Sequence, residues 1–205
     1  MTSRVLTFPG ISPLCPFDWF SFGDGDRLVA ASDVCGHVVV VNTQTRKLVV
    51  RRDFVGFLDL GPAILNSDGT EMAVANSANP GQVALVKLAT DKIIAVLTGD
   101  TKAIQSLAFS PNGNLIATAS LDDTVRIWNA RTGQLLRILD HPDGVYNVAF
   151  SPDGTQVSTL DYAGVIRIFP TCPAECTNPK ALLALARARV TRSLTPQEGK
   201  EFGIP

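Results

Sequence analysis

Apolar residues in this chain come in short runs divided by turn signals. Ile104 to Phe109, Leu115 to Ala119, Thr124 to Trp128 and Gln134 to Leu139 are rich in β-branched and apolar residues, the composition of strands. Pro111-Asn112-Gly113, Leu121-Asp122-Asp123 and Arg131-Thr132-Gly133 separate them. Each supplies the positive φ or the side-chain cap that a tight hairpin needs. The runs are nearly continuous in apolar character, as expected of sheets packed on both faces.

The pattern repeats. Leu107-Ala108-Phe109-Ser110-Pro111-Asn112-Gly113 returns as Val148-Ala149-Phe150-Ser151-Pro152-Asp153-Gly154, and Val125-Arg126-Ile127-Trp128 returns as Val165-Ile166-Arg167-Ile168-Phe169. The turn glycines Gly25, Gly69, Gly113 and Gly154 lie 44, 44 and 41 residues apart, and the strand-end residues Val41, Val86, Trp128 and Phe169 lie 45, 42 and 41 apart. Two independent sets of anchors thus agree on one period. Four short antiparallel strands per period, repeated, predict β-propeller blades.

The wording of the repeats closely resembles the WD-repeat family, whose blades carry a Gly-His, a Phe-Ser-Pro-Asp-Gly hairpin, a Ser-x-Asp-x-Thr-Val turn and a terminal Trp-Asp. The third unit has Phe109 to Gly113, Ser120-Leu121-Asp122-Asp123-Thr124-Val125 and Trp128-Asn129; the fourth has Asp140-His141, Phe150 to Gly154 and Asp161. The first two units keep the hairpin, as Phe20 to Gly25 and Leu65 to Gly69, and little else. The likeness covers roughly residues 3 to 170. It implies an all-β fold of about four four-stranded blades, with units near 10–53, 54–98, 99–139 and 140–170. Gly36-His37 falls in the wrong register for the family dipeptide and is expected to open a third strand.

In the family, a His, a Ser or Thr, an Asp and the blade-end Trp form a hydrogen-bonded chain within each blade. The resemblance assigns that structural network to Asp122 and Trp128, with Thr118 or Ser120, in the third unit and to His141 and Asp161 in the fourth. Departures are visible: Asp100 stands where the third unit should have His, and Phe169 replaces Trp in the fourth. Asp100 is expected to point into solvent, the other reading being a place beside Asp122 where two carboxylates repel. Either way, Asp100→His is expected to stabilise the domain.

Strand counting adds an expectation. The fourth unit stops after three strands at Phe169, with Pro170 and Pro173 blocking continuation, while an orphan strand, Arg4 to Phe8, opens the chain. That strand would complete the last blade or close a preceding one. Four blades lie at the lower limit for propellers, which favours a fragment or a short arc over a closed ring. Residues 172–205 read as a Pro/Cys linker and a helical tail. Leu182, Leu183, Ala186, Val190 and Leu194 form one apolar stripe edged by Arg187 and Arg189, and Thr195-Pro196-Gln197-Glu198 is a capping box. The tail resembles the end of large bacterial WD-repeat regulators, including signal-transducing ATPases with numerous domains.

Composition narrows the function. Lys plus Arg number 18 against 19 Asp plus Glu, so no broad basic surface for nucleic acid or anionic lipid is expected. No apolar run is long enough to span a bilayer, and Met1 to Pro9 has no continuous apolar stretch of a signal peptide, so a soluble, cytoplasmic protein is expected. The four cysteines are ordinary usage; Cys172 and Cys176 read as unligated thiols, since a zinc site needs four ligands and Cys15, Cys35 and two histidines are scattered. Gly23-Asp24-Gly25-Asp26 reads as a hairpin turn rather than a calcium loop. No phosphate-cradling Gly-x-x-x-x-Gly-Lys-Ser/Thr is present, so no cofactor, no metal and no catalysis are expected.

Interaction remains. Loop tips and first-strand residues of propeller blades display variable side chains on a rigid frame. Lys102, Gln105, Asp143 and Tyr146 are the candidate protein-binding residues, with Tyr146 first because an exposed tyrosine is a favoured anchor. The sequence therefore predicts a non-catalytic platform or sensor module for protein partners, in a larger signalling regulator or as a homodimer in which two four-blade arcs share a ring.

Overall fold

A computed structural model describes residues 15, 17–33, 35–54, 60–76 and 81–171. Fifteen strands and no helix occur among them, in four antiparallel sheets. The first sheet holds β1 (Phe17–Gly23), β2 (Leu28–Asp33), β3 (His37–Asn42) and β4 (Leu48–Asp53); the second β5 (Leu60–Leu65), β6 (Glu71–Asn76), β7 (Gln82–Lys87) and β8 (Lys92–Thr98). The third holds β9 (Ile104–Phe109), β10 (Leu115–Ser120), β11 (Thr124–Asn129) and β12 (Leu135–Asp140). β13 (Val145–Phe150), β14 (Gln156–Asp161) and β15 (Ile166–Pro170) make the fourth. Each sheet is a meander in which every strand pairs with the next in sequence. The orphan strand expected at Arg4 to Phe8 and the helical tail lie outside the described residues.

The hairpin between the first two strands of a blade explains the repeated motif. In the third blade, Ser110 Oγ accepts the Leu115 N–H at 2.9 Å while Asn112 Oδ1 accepts the Asn114 N–H at 3.0 Å. Ser151 and Asp153 repeat this with Gln156 and Thr155. The glycine closing the turn sits at φ +71° in both blades, a conformation it reaches without the Cβ cost that other L residues incur. Hydrogen bonds donated by the Ser151 hydroxyl and by the Thr155 N–H and hydroxyl pull the exposed Asp153 carboxyl down to about 2.

Blades stack in chain order through their buried middle strands. Alternate residues of the second blade face opposite neighbours: Met72, Val74, Ala84 and Val86 pack on Leu28, Val38 and Val40 of the first blade. Ala73, Ala75, Val83 and Leu85 pack on Ile104, Ile116 and Trp128 of the third. Ala117, Val125, Ile127 and Leu139 of the third meet Val145, Val148 and Val157 of the fourth. Burial on both faces is therefore the reason the strands read as continuous apolar runs. The outermost strands β4, β8 and β12 are mostly exposed. Where the first strands converge, a groove of about 370 Å³ is lined by Ser21, Ile64, Leu107, Pro111 and Phe150.

Cys15 and Cys35, read from their spacing in sequence as no close pair, do meet in the fold. Cys15 and Cys35 are joined by a disulfide, with Cα atoms 5.7 Å apart. The expected thiols Cys172 and Cys176 lie outside the described residues.

Candidate protein-binding face and the network beneath it

A buried polar chain organises the third blade. Trp128 Nε1 donates to Thr118 Oγ1 at 3.2 Å, and Thr118 donates to Asp100 Oδ2 at 3.0 Å. Asp100 is only 5% exposed, so it does not point into solvent. It is held by Arg126, whose Nη1 lies 2.5 Å from Asp100 Oδ1 and 2.8 Å from Asp122 Oδ2. The two carboxylates flank one guanidinium, which replaces the expected repulsion with an ion triad. Burial pushes the Asp100 carboxyl up, and Arg126 and Thr118 pull it back part of the way. Burial also raises Asp122, but hydrogen bonds from Thr124, the Thr101 N–H and Arg126 outweigh it and hold this carboxyl below its ordinary value. Arg126 loses to burial and gains more from the two aspartates, so its affinity for a proton rises.

This network fixes the loop above it. Thr101 N–H donates to Asp122 Oδ2 at 2.8 Å, and Ser120 Oγ donates to the Lys102 carbonyl at 3.3 Å while accepting the Asp122 N–H at 3.1 Å. Ser120 and Asp122 thus clamp the segment that carries Lys102, and Trp128 joins the network through Thr118.

The fourth blade solves the same problem differently. His141 Nδ1 donates to the Leu139 carbonyl at 3.0 Å and its Nε2 pairs with Thr159 Oγ1 at 2.8 Å. Phe169, in the Trp128 position, meets the imidazole edge-on at 5.5 Å. Asp161 does not match Asp122. It closes β14 opposite Val145, as Ser120 closes β10 opposite Ile104, and Ala163 takes the Asp122 place. Asp161 Oδ1 accepts the Val165 N–H at 2.8 Å and its Oδ2 accepts a hydrogen bond from Arg167. The Arg167 hydrogen bond is the main reason its carboxyl is held low. His141 and Thr159 are both buried.

Over these two blades lies an exposed aromatic patch. Tyr146, on β13, is 50% exposed and meets Tyr162, 54% exposed, with ring centroids 5.6 Å apart and planes at 78°. Tyr162 O–H donates to Gln105 Oε1 at 3.2 Å, tying the fourth blade to β9 of the third. Tyr162 is seated by its N–H on the Gly144 carbonyl at 2.9 Å, and a Cβ at Gly144 would stand 3.4 Å from its ring. Of the four candidate contact residues, the structure joins Tyr146 and Gln105 through Tyr162. Lys102 and Asp143 are exposed outside that contact, and Asp143 Oδ1 turns back to accept the Gly144 N–H at 2.7 Å. Sequence reading missed Tyr162, although the chain has only two tyrosines and both are in this patch.

Two stretches, residues 91–129 and 133–169, match the family described as "WD domain, G-beta repeat". Eukaryotic translation initiation factor 3 subunit I of Aspergillus niger is 38% identical over 55 residues, 27% of this chain and 16% of that protein. Ribosome assembly protein 4 of Saccharomyces cerevisiae is 35% identical over 71 residues, 35% of this chain and 14% of that protein. COMPASS component SWD3 of the same yeast is 29% identical over 105 residues, 50% of this chain and 33% of that protein. The matched stretches span a third or less of these relatives. Among solved structures, the computationally designed Ika4 protein superposes with a TM-score of 0.70 at 20% identity, covering 84% of this chain and all of that one. That likeness concerns the fold alone.

Proposed function

We propose that this all-β array of propeller-type blades, in which residues 91–129 and 133–169 match the WD-repeat family, is a non-catalytic protein-binding platform and that its contact face is the patch of Tyr146, Tyr162 and Gln105, flanked by Lys102 and Asp143. The observation that carries the reading is the exposed tyrosine pair of the fourth blade, tied by Tyr162 to Gln105 of the third. Two rigid amphipathic rings offer large contact area with little rotamer entropy to lose. The mixed charge of Lys102 and Asp143 suits a protein surface better than a polyanion. The relatives named above are components of translation, ribosome-assembly and COMPASS machinery by their names, which supports a role inside protein assemblies.

The finer reading is a cytoplasmic segment of a larger signalling regulator of bacterial type; it rests on the sequence of the tail from Leu182 to Glu198. Among the described residues no helix is long and apolar enough to cross a membrane. A second reading, two arcs sharing one ring, is favoured by β15, which ends its three-stranded sheet and leaves Ile166 and Ile168 68% and 64% exposed. Light scattering separates the two: a dimer that dissociates on Ile168→Lys supports the shared ring. For the platform, quantitative affinity capture with wild type and Tyr146→Ala/Tyr162→Ala is the test. Loss of specific partners at unchanged melting temperature is expected, and an unchanged partner set contradicts the assignment.

A further inference from the structure

The turn between β2 and β3 carries a cysteine and a histidine that the corresponding turns of the third and fourth blades do not have. Cys15, Asp33 and His37 bring one ligand atom each to within 4.8 Å of one another, and the second sulfur, Cys35, is bonded to Cys15. Asp33 is fully buried and held by two backbone donors, the N–H groups of Cys35 at 2.9 Å and His37 at 2.8 Å, both on Oδ1. Its Oδ2 lies 2.8 Å from His37 Nδ1. Three donor groups of the types S, N and O therefore converge, from Cys15, Asp33 and His37, and Cys35 stands beside them through its bond to Cys15.

The fourth blade shows that the turn does not need them. There Asp161 Oδ1 accepts the N–H four residues on, and Gly164 N–H returns to the Asp161 carbonyl, as Gly36 N–H returns to that of Asp33. Ala163 and Val165 stand where the first blade has Cys35 and His37. What the first blade adds to a turn that forms without them is a thiol and an imidazole, beside a second thiol from the chain ahead of β1.

We propose that the reduced first blade binds one Zn²⁺ through Cys15, Cys35, His37 and Asp33, so that the same residues are bridged either by a disulfide or by a metal ion. Two thiolates with one imidazole and one carboxylate are a four-coordinate zinc donor set, and thiolates disfavour calcium and magnesium, which take oxygen ligands. The His37–Asp33 contact would open by about half an ångström for both atoms to sit ~2 Å from a tetrahedral ion. The two backbone bonds on Asp33 Oδ1 hold the carboxylate in place for this, leaving Oδ2 to the metal. Switching is balanced: a dithiol reductant transfers two electrons and two protons to the Cys15–Cys35 bond and becomes a cyclic disulfide. Zn²⁺ then displaces the two thiol protons to water.

The test uses the 205-residue chain carrying Cys172→Ser and Cys176→Ser, which leaves only the proposed thiols. The protein is reduced with dithiothreitol, freed of it without oxygen, and titrated with Co²⁺ and then Zn²⁺. One Co²⁺ per chain is expected, with thiolate charge-transfer absorption in the near ultraviolet and the intense visible bands of tetrahedral cobalt, all lost on adding Zn²⁺. The oxidised protein should show neither. Cys35→Ala and His37→Val install the residues of the fourth blade's turn. With the strand circular dichroism retained, the first should abolish the charge-transfer bands and the second the tetrahedral visible spectrum. Absence of thiolate absorption in the reduced protein, or its persistence in Cys35→Ala, overturns the proposal.

Discussion

Asp100→His places in the third blade the residue that the fourth has at His141. By family likeness it should stabilise; the structure reverses the sign. Asp100 is buried against Arg126, itself only 9% exposed, at 2.5 Å. Removing one partner of a buried pair costs about 3–5 kcal/mol when the other charge is left alone. Here Arg126 keeps Asp122 at 2.8 Å and Thr124 at 2.5 Å, and the imidazole keeps Thr118 as a partner. About 2 kcal/mol of net loss remains. At roughly 2–4 °C per kcal/mol for a domain of this size, the melting temperature at neutral pH should fall by about 4–8 °C. The loss should grow as pH drops. An imidazole beside Arg126 has its folded pKa depressed, so its unfavourable share appears as pH falls below the unfolded value of ~6.5. Thermal melts of wild type, Asp100→His and Asp100→Asn across that range measure both effects. An unchanged or raised melting temperature for Asp100→His would refute the ion-triad reasoning.

Ile127→Ala, at a side chain 1% exposed between the third and fourth blades, should cost about 2–5 kcal/mol in urea unfolding; a cost below 1 would mean the blades do not stack there. Gly81→Ala should destabilise by more than the ~1–3 kcal/mol of a strained backbone, because φ is +87° and an added Cβ would lie 1.5 Å from the Asp100 carbonyl oxygen; an unperturbed melt would contradict that packing. Asp122 is held below its ordinary 3.8, so it contributes stability above that pH that is lost as pH falls through its lower folded value. Asp122→Asn should therefore be less stable than wild type at neutral pH and lose less on acidification, read by urea midpoints between about pH 5 and 3.

Turn chemistry and burial made the fold legible. The hairpin glycines set the period, because a positive φ there admits little else, and strands buried on both faces gave unbroken apolar runs. Even the register of Gly36-His37 was readable: His37 opens β3 as expected. The polar interior was only partly legible. Arg126 sits in an otherwise apolar strand, and a buried guanidinium demands a carboxylate, so Asp100 could have been paired with it from sequence. Family likeness instead suggested an empty histidine position. The Asp161 assignment failed because the fourth turn lacks an aspartate at Ala163, and motif matching slid two residues to the nearest one. The Cys15–Cys35 pair joins residues 20 apart in sequence whose proximity follows from the β1–β2 register, in which Phe17 stands opposite Asp33. Four cysteines allow three pairings, and spacing alone selects none. Tyr162 escaped notice because its place in the patch depends on close packing at Gly144.

The central claim, a contact face at Tyr146 and Tyr162, is tested most directly by photo-cross-linking in living cells with benzoylphenylalanine at position 146, position 162 or, as control, position 96 on the exposed outer strand β8. The account predicts a discrete adduct shared by positions 146 and 162, absent from position 96, and lost from position 162 when Tyr146 is alanine. Adducts equal at all three positions, or a discrete adduct only at position 96, would contradict it.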